Sequence, residues 1–365
     1  METSGEIKIE KTHHSRLPEL DFNKIPFGRI FSDHLMVADF KDGKWSEMKI
    51  IPYQKFDFLP GMITLHYGQS IFEGIKAFRN QANEIMLFRP DQNAKRFNIS
   101  AKRMCMPEIP EEMFLKGLNS LISLDSGWVP RFDQGSLYVR PFMFGTDEFI
   151  GVHASKEYRF CVLTCPSGPY FTKPISTKIE THYSRASVGG IGFAKAAANY
   201  AGALYPTQIA LNEGFDQVIW TDSKEHSYIE EAGTMNVFFR IGSKLVTPPL
   251  GDTILDGVTR KSVLQIAQDL GIVTEERRIS IQELDEAYQN GNLKEAFGSG
   301  TAATICPISE IGLNEVRWSL SQNPESNEFS NRIRETINQI RLGTAPDPHG
   351  WMVPVLELEW SSINS

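Results

Sequence analysis

Ten residues near the middle of the chain, Cys165-Pro-Ser-Gly-Pro-Tyr-Phe-Thr-Lys-Pro174, carry three prolines and a glycine. No helix or central strand continues through such a stretch, because each proline removes a backbone donor and fixes φ. The chain is therefore expected to fold as two bodies joined here: residues 1–165, a linker over 166–178, and residues 179–365. At 365 residues, each body can bury a core of its own.

Both halves mix helix and strand. In the first, strand-like segments fill 27–88 between turn signals such as Asp42-Gly43 and Pro60-Gly61, and return at 136–144 and 159–164. Pro90-Asp91 opens a helical stretch through Arg96 to Arg103. A second helix starts at Pro110, Glu111 and Glu112, with Phe114, Leu118, Leu121 and Ile122 at helical spacing. In the second half, the alanines of 193–204 favour helix, and short strands are expected at 217–220, 235–240 and 244–247. Residues 259–270 form an amphipathic helix with Val263, Ile266, Ala267 and Leu270 on one face and Gly271 as its cap, and a last helix covers 327–342. The first 20 residues, polar and carrying His13-His14, read as a loose arm.

Charge narrows the partners. Lys plus Arg number 37 against 45 Asp plus Glu, a net −8, so no overall basic field would gather nucleic acid or anionic lipid. The start lacks a basic end and an apolar core, and no stretch approaches 18 apolar residues, so a cytoplasmic protein without membrane contact is expected. The four cysteines are too few for a disulfide framework. Cys161 and Cys165 lie in an apolar strand-like run, where positions four apart sit about 13 Å from each other. That separation rules out their chelating one ion, and no metal site is expected.

Three segments carry candidate chemistry. Gly298-Ser-Gly-Thr-Ala-Ala303 resembles a dinucleotide fingerprint but lacks the βαβ unit and ribose-binding acid that should follow. It is either a nest of backbone N–H groups for a phosphate or carboxylate or a helix-capping turn. Lys195 stands alone in Gly-Phe-Ala-Lys-Ala-Ala-Ala-Asn. It is either a surface helix lysine or a desolvated amine suited to Schiff-base chemistry. Glu231 precedes a turn glycine and an apolar strand, and alone could be a solvated loop acid. Taken together with a hydroxyl such as Tyr200, these groups describe pyridoxal phosphate, whose ring nitrogen needs an anion to make the ring an electron sink.

At these residues the sequence resembles the branched-chain amino-acid aminotransferases of the fold type IV pyridoxal-phosphate class. The likeness runs from about Lys44 to Val355 through six segments kept in order: Leu65-His-Tyr-Gly-Gln-Ser-Ile-Phe-Glu-Gly-Ile-Lys-Ala-Phe78, Ser136-Leu-Tyr-Val-Arg-Pro141, Gly189-Gly-Ile-Gly-Phe-Ala-Lys-Ala-Ala-Ala-Asn-Tyr200, Glu231-Ala-Gly-Thr-Met-Asn236, Leu255-Asp-Gly-Val-Thr-Arg260 and Phe297-Gly-Ser-Gly-Thr-Ala302. The resemblance implies a mixed α/β (α+β) fold, with a smaller N-terminal α/β domain and a larger C-terminal pseudo-barrel that binds the cofactor.

It also implies roles. Lys195 would carry the cofactor as a Schiff base and move the proton at the substrate Cα. Tyr200 would bond the ring's phenolic oxygen and Glu231 its nitrogen. Arg96, Thr301 and the N–H groups of Val258 and Thr259 would hold the phosphate. Thr234 and Ala302 would offer N–H groups to the substrate carboxylate. Tyr67, Phe72, Tyr138 and Tyr170 would wall an aliphatic pocket, with Arg140, on the same strand face as Tyr138, receiving the distal carboxylate of glutamate. A partner subunit's loop, here within Phe149-Ile150-Gly151-Val152, would close the pocket of a homodimer.

The implied activity is reversible ping-pong transamination of L-leucine, L-isoleucine and L-valine with 2-oxoglutarate. D-amino-acid aminotransferases and aminodeoxychorismate lyases share the lysine and glutamate, but Tyr138-Val-Arg140 and the 65–78 block favour the branched-chain group. A non-catalytic pyridoxal-phosphate carrier would have lost a substrate group, and none is missing. Two features depart from or exceed the pattern. Ala303-Thr-Ile-Cys306 lacks the paired cysteines of some relatives, so no thiol switch is expected there, and Arg185 has no assigned role.

Overall fold

The computed structural model describes residues 7–168, 173–320 and 327–358. The chain forms two units, Met1–Tyr170 with Ile340–Ser365, and Phe171–Gln339. Among the described residues no helix is long and apolar enough to cross a membrane.

Unit 1 is built on one sheet. Its strands are β1 (Lys8–Ile9), β2 (His34–Lys41), β3 (Lys44–Trp45), β4 (Lys49–Pro52), β5 (Ser70–Phe72), β6 (Ile75–Arg79), β7 (Ile85–Phe88), β8 (Ser136–Gly145) and β9 (Tyr158–Ser167). The order is β1-β4-β2-β9-β8-β6-β7, with β3 on β2 and β5 on β8. The helices are α1 (Ile63–Tyr67), α2 (Pro90–Arg103) and α3 (Glu111–Leu124). The four apolar positions expected to face the core from α3 are all fully buried. Phe114 meets Phe97 of α2 and Phe160 of β9 at ring separations of 5.5 and 5.7 Å. Cys161 and Cys165 are buried and free on β9, as an apolar strand requires.

Unit 2 contains β10 (Ile175–Ile179), β11 (Gln217–Thr221), β12 (Ile229–Ala232), β13 (Met235–Ile241), β14 (Lys244–Thr247), β15 (Thr274–Glu276), β16 (Leu293–Gly300), β17 (Thr304–Leu313) and β18 (Val316–Ser319). The path β12-β11-β10-β17-β16-β13 closes because β12 also pairs with β13. Closure removes the edges an open sheet would leave unpaired, and the resulting barrel matches the expected pseudo-barrel. Fully buried Ile219, Val237, Phe239 and Ile311 lie in its core cluster. Outside it lie α4 (Ala197–Asn212), α5 (Val258–Asp269) and α6 (Ile281–Gln289), and α7 (Glu328–Leu342) follows β18.

Four expectations need correction. The helix expected over 193–204 begins at Ala197 and continues through Pro206 to Asn212. The side chain of Asn199 donates to the carbonyls of Ile191 and Ala194 at 2.9 and 2.8 Å, which pins the preceding residues in a turn. Gly298–Ala303 caps no helix: β16 ends at Gly300, and the strand pair closes through 301–303 into β17.

The described part of the first 20 residues is docked rather than loose. β1 pairs in parallel with β4, and Asp33 accepts from Arg16 N–H and Trp128 Nε1 at 2.9 and 3.1 Å. The C-terminal residues belong with unit 1, not with 179–365, which leaves unit 2 the shorter of the two. A last strand, β19 (Met352–Pro354), lies antiparallel on the free edge of β7. Trp351 packs on Phe88 at 5.7 Å, and Asn119 both donates to and accepts from the backbone of Leu356.

Candidate active site

In unit 2 the barrel strands set out a row of polar groups. Glu231 on β12 stands opposite Asn236 on β13, and Asn236 opposite Ser299 on β16, neighbours about 4.8 Å apart across the sheet. Two residues beyond Ser299, the 301–303 turn carries Thr301 and Ala302, while Thr234 occupies the turn between β12 and β13.

Glu231 is only 3% exposed, so the bland reading of a solvated loop acid does not apply. Arg185 Nε lies 2.9 Å from Oε2. Oε1 accepts from Leu255 N–H at 2.9 Å and from Asn236 Nδ2 at 3.2 Å. A carboxylate can be buried in this way because its charge is paired and its oxygens are bonded. The guanidinium of Arg185 also donates to the carbonyls of Gly192 and Thr253, tying the segment ahead of Lys195 to Glu231.

Lys195 sits in the turn before α4, half-buried. Its Nζ donates to the hydroxyl of Tyr200, in the first turn of α4, at 3.1 Å. The helix begins after the lysine, which removes the reading of an ordinary surface helix cation.

The start of α5 offers backbone donors suited to an anion. Val258 and Thr259 open the helix, and the first N–H groups of a helix have no intrahelical acceptor. Gly257 is required there: a Cβ would fall 2.0 Å from Asn236 Oδ1, so the helix start could not approach the residue that holds Glu231. Ser299 Oγ is buried without a hydrogen-bond partner. An amine beside a hydroxyl, a fixed carboxylate, helix N–H groups and an unused hydroxyl together fit a phosphorylated pyridine cofactor.

Unit 1 holds the other residues singled out from sequence. Tyr138 and Arg140 share a face of β8. Arg140 Nη2 donates to the Tyr138 hydroxyl at 3.0 Å, and the guanidinium lies 4.6 Å over the ring of Phe72. Arg140 Nε is buried and has no hydrogen-bond partner, a donor suited to a carboxylate from outside the chain. Gly74 makes room for this group, since a Cβ there would lie 2.2 Å from the Tyr138 hydroxyl. Tyr67 is exposed, and its hydroxyl donates to the carbonyl of Ile150 in the 149–152 loop. Tyr170 lies outside the described residues.

Arg96 is buried on α2 and forms a two-pronged pair with Glu73, Nε to Oε1 at 2.7 Å and Nη2 to Oε2 at 2.8 Å. Removing one partner of such a buried pair costs about 3–5 kcal/mol. Sequence reasoning missed Glu73 and Arg185. The signal for Glu73 was an acid inside the apolar Ser70–Phe78 run; nothing local marks Arg185, whose partner lies 46 positions on.

The family model described as amino-transferase class IV matches residues 70–311. The chain is 41% identical over 360 residues to branched-chain-amino-acid aminotransferase 2 of Bacillus subtilis, covering 98% of this chain and 99% of that one. It is 43% identical over 357 residues to a probable branched-chain-amino-acid aminotransferase of Staphylococcus epidermidis, covering 96% and 99%. Among solved structures it is similar to the branched-chain aminotransferase of Thermoproteus uzoniensis with norvaline, at a TM-score of 0.72 and 25% identity over 88% of this chain and 100% of that one. The Escherichia coli branched-chain aminotransferase superposes at a TM-score of 0.71 with 24% identity, covering 89% and 99%.

Proposed function

The chain belongs to the class IV aminotransferase family, and from that premise we propose that it is a branched-chain amino-acid aminotransferase exchanging amino groups between L-leucine, L-isoleucine or L-valine and 2-oxoglutarate. Its cofactor is pyridoxal phosphate, which supplies an electron sink for the bonds at the substrate Cα. The observation that carries this reading is the pairing, in one unit, of a half-buried Lys195 at a tyrosine hydroxyl with a buried, arginine-held Glu231.

The remaining work falls to side chains and amides. Lys195 would hold the cofactor through its amine and would serve as the base that takes and returns the proton at the substrate Cα. Tyr200, which accepts from Lys195 Nζ, would orient that amine and bond the ring's phenolic oxygen, and Glu231 would bond the ring nitrogen. Thr301 and the N–H groups of Val258 and Thr259 would hold the phosphate, Arg96 would add a cation to it, and the N–H groups of Thr234 and Ala302 would hold the substrate carboxylate. Tyr67, Phe72, Tyr138 and Tyr170 select an aliphatic side chain. Arg140 would offer its unpartnered Nε to the second carboxylate of glutamate.

The active species is a homodimer. α4 exposes large apolar side chains, Leu204 and Tyr205 being 71% and 65% exposed, and the 149–152 loop exposes Ile150 and Val152, at 67% and 86%. Apolar surface of this kind marks a protein interface. The free cysteines, three of them buried, suit a reducing cytoplasm.

A panel of amino donors with 2-oxoglutarate tests the reading. Leucine, isoleucine and valine are expected to outpace phenylalanine and aspartate by at least tenfold, and Lys195→Ala to lose both turnover and the visible absorbance of the bound cofactor. Equal rates with aspartate, or turnover of D-alanine without L-leucine, would overturn it.

A further inference from the structure

Glu230 and Glu231 are neighbours on β12 and so face opposite sides of the strand. Glu231 belongs to the site above. Glu230 lines a cavity of about 390 Å³ within unit 2, together with Tyr228, Pro249, Leu250, Thr253 and Arg278. This volume lies in the range of about 300–1,000 Å³ typical of small-molecule sites.

The polar groups of the cavity are unequally satisfied. Asp222, on the same wall, accepts from the N–H groups of Glu225, Ser227 and Tyr228, so it is committed to its own loop. Glu230 is 7% exposed. One of its oxygens accepts from the Thr253 hydroxyl at 2.6 Å, and the other is buried without a hydrogen-bond partner. Burial pushes its carboxyl above the ordinary value, with Glu231 and Asp222 adding to the shift and Thr253 and Arg185 opposing it. A cationic donor would restore the charge that burial disfavours. The terminal torsion of a glutamate is soft, so either oxygen can turn to the cavity wall.

Arg278, also in the lining, is exposed and lies 3.5 Å over the ring of Tyr228, a stacked cation with donors left for an anion. Pro249 and Leu250 add apolar surface to the same lining. We propose that this cavity binds a free aliphatic α-amino acid, its ammonium group at Glu230, its carboxylate at Arg278 and its side chain on Pro249 and Leu250.

The cavity is wired to the cofactor residues. Thr253 donates its hydroxyl to Glu230 and accepts at its carbonyl from Arg185, which in turn pairs with Glu231. An occupant that bonds Glu230 acts on Thr253, the residue whose carbonyl Arg185 bonds. Only this coupling rests on the function proposed above; the binding does not.

Equilibrium dialysis of labelled L-leucine against the protein, with pyridoxamine phosphate at saturation to keep any cofactor site from reacting with the amine, tests the proposal. A component of the isotherm should weaken at least tenfold in Glu230→Gln and again in Arg278→Met, the latter a surface change that leaves the fold intact. Binding that is absent, or unaltered in both variants, would overturn the assignment. If the cofactor reading itself is wrong, pyridoxamine phosphate is an inert additive, and leucine binding still reports on the cavity.

Discussion

Lys76 faces the buried side of β6 and is only 9% exposed. Burial, reinforced by the charge of Arg341, pushes its amine from an ordinary 10.5 down to about 7. Arg341 is itself buried against Phe78 and Phe88 and brought down to about 9. Below pH 7 the folded chain must keep a charged amine out of water, at a cost the unfolded chain does not bear. Between pH 7 and 10 the folded state sheds that proton while the unfolded state keeps it, so stability rises with pH over this window. Lys76→Met is therefore expected to raise the thermal midpoint by several degrees at pH 6, with the gain shrinking steadily towards pH 10. A gain independent of pH would contradict the assignment. The Lys-Ala-Phe context in the sequence shows an alternating strand but not the second cation, which arrives from the far end of the chain.

At the scale of elements, the amphipathic helices were legible because their apolar spacing survives folding unchanged. α3 buries the four residues its periodicity marks, and α5 spans Val258–Asp269 against an expected 259–270. The start of α4 was not legible, since alanine propensity cannot register the two hydrogen bonds by which Asn199 holds the turn carrying Lys195. The N-terminal arm was misread for a related reason: its polar residues are satisfied by partners distant in sequence. Burial works against the charge on Asp33, but bonds from the Ser15 hydroxyl, the Arg16 amide and the Trp128 indole outweigh it and hold the carboxyl below its ordinary value. Each hydrogen bond to a charged group contributes about 1.5–3 kcal/mol. Arm docking is thus present above the ordinary carboxylate range and lost as pH falls through the lower folded value. Asp33→Asn should free the arm at neutral pH, read as faster tryptic cleavage at Arg16 with the rest of the chain resistant; an unchanged cleavage rate would refute this.

For the whole molecule, closure of the unit 2 sheet through β12 and β13 places Glu231, Asn236 and Ser299 abreast at the barrel. The exposed Leu204 and Tyr205 of α4 belong to this scale too, because they are the surface assigned to the proposed dimer. Leu204→Arg combined with Tyr205→Glu is expected to convert a dimer to monomer by light scattering, with the circular dichroism of the chain retained. A variant that remains dimeric would move the interface elsewhere.

The sequence alone determined a break in the chain near residue 170, the main helices and strands, and the proposal that Lys195, Tyr200, Glu231, Tyr138 and Arg140 carry the chemistry. These are local matters, set by proline chemistry, apolar period and residue type. Only the tertiary structure decided which groups hold those residues in place: Arg185 at Glu231, Glu73 at Arg96, Gly74 beneath Tyr138, and the last strand on the edge of β7. Such pairings join positions far apart along the chain, and no local pattern records a partner that only folding brings near. The same holds for Glu230, whose unused oxygen becomes visible only once the cavity around it has closed.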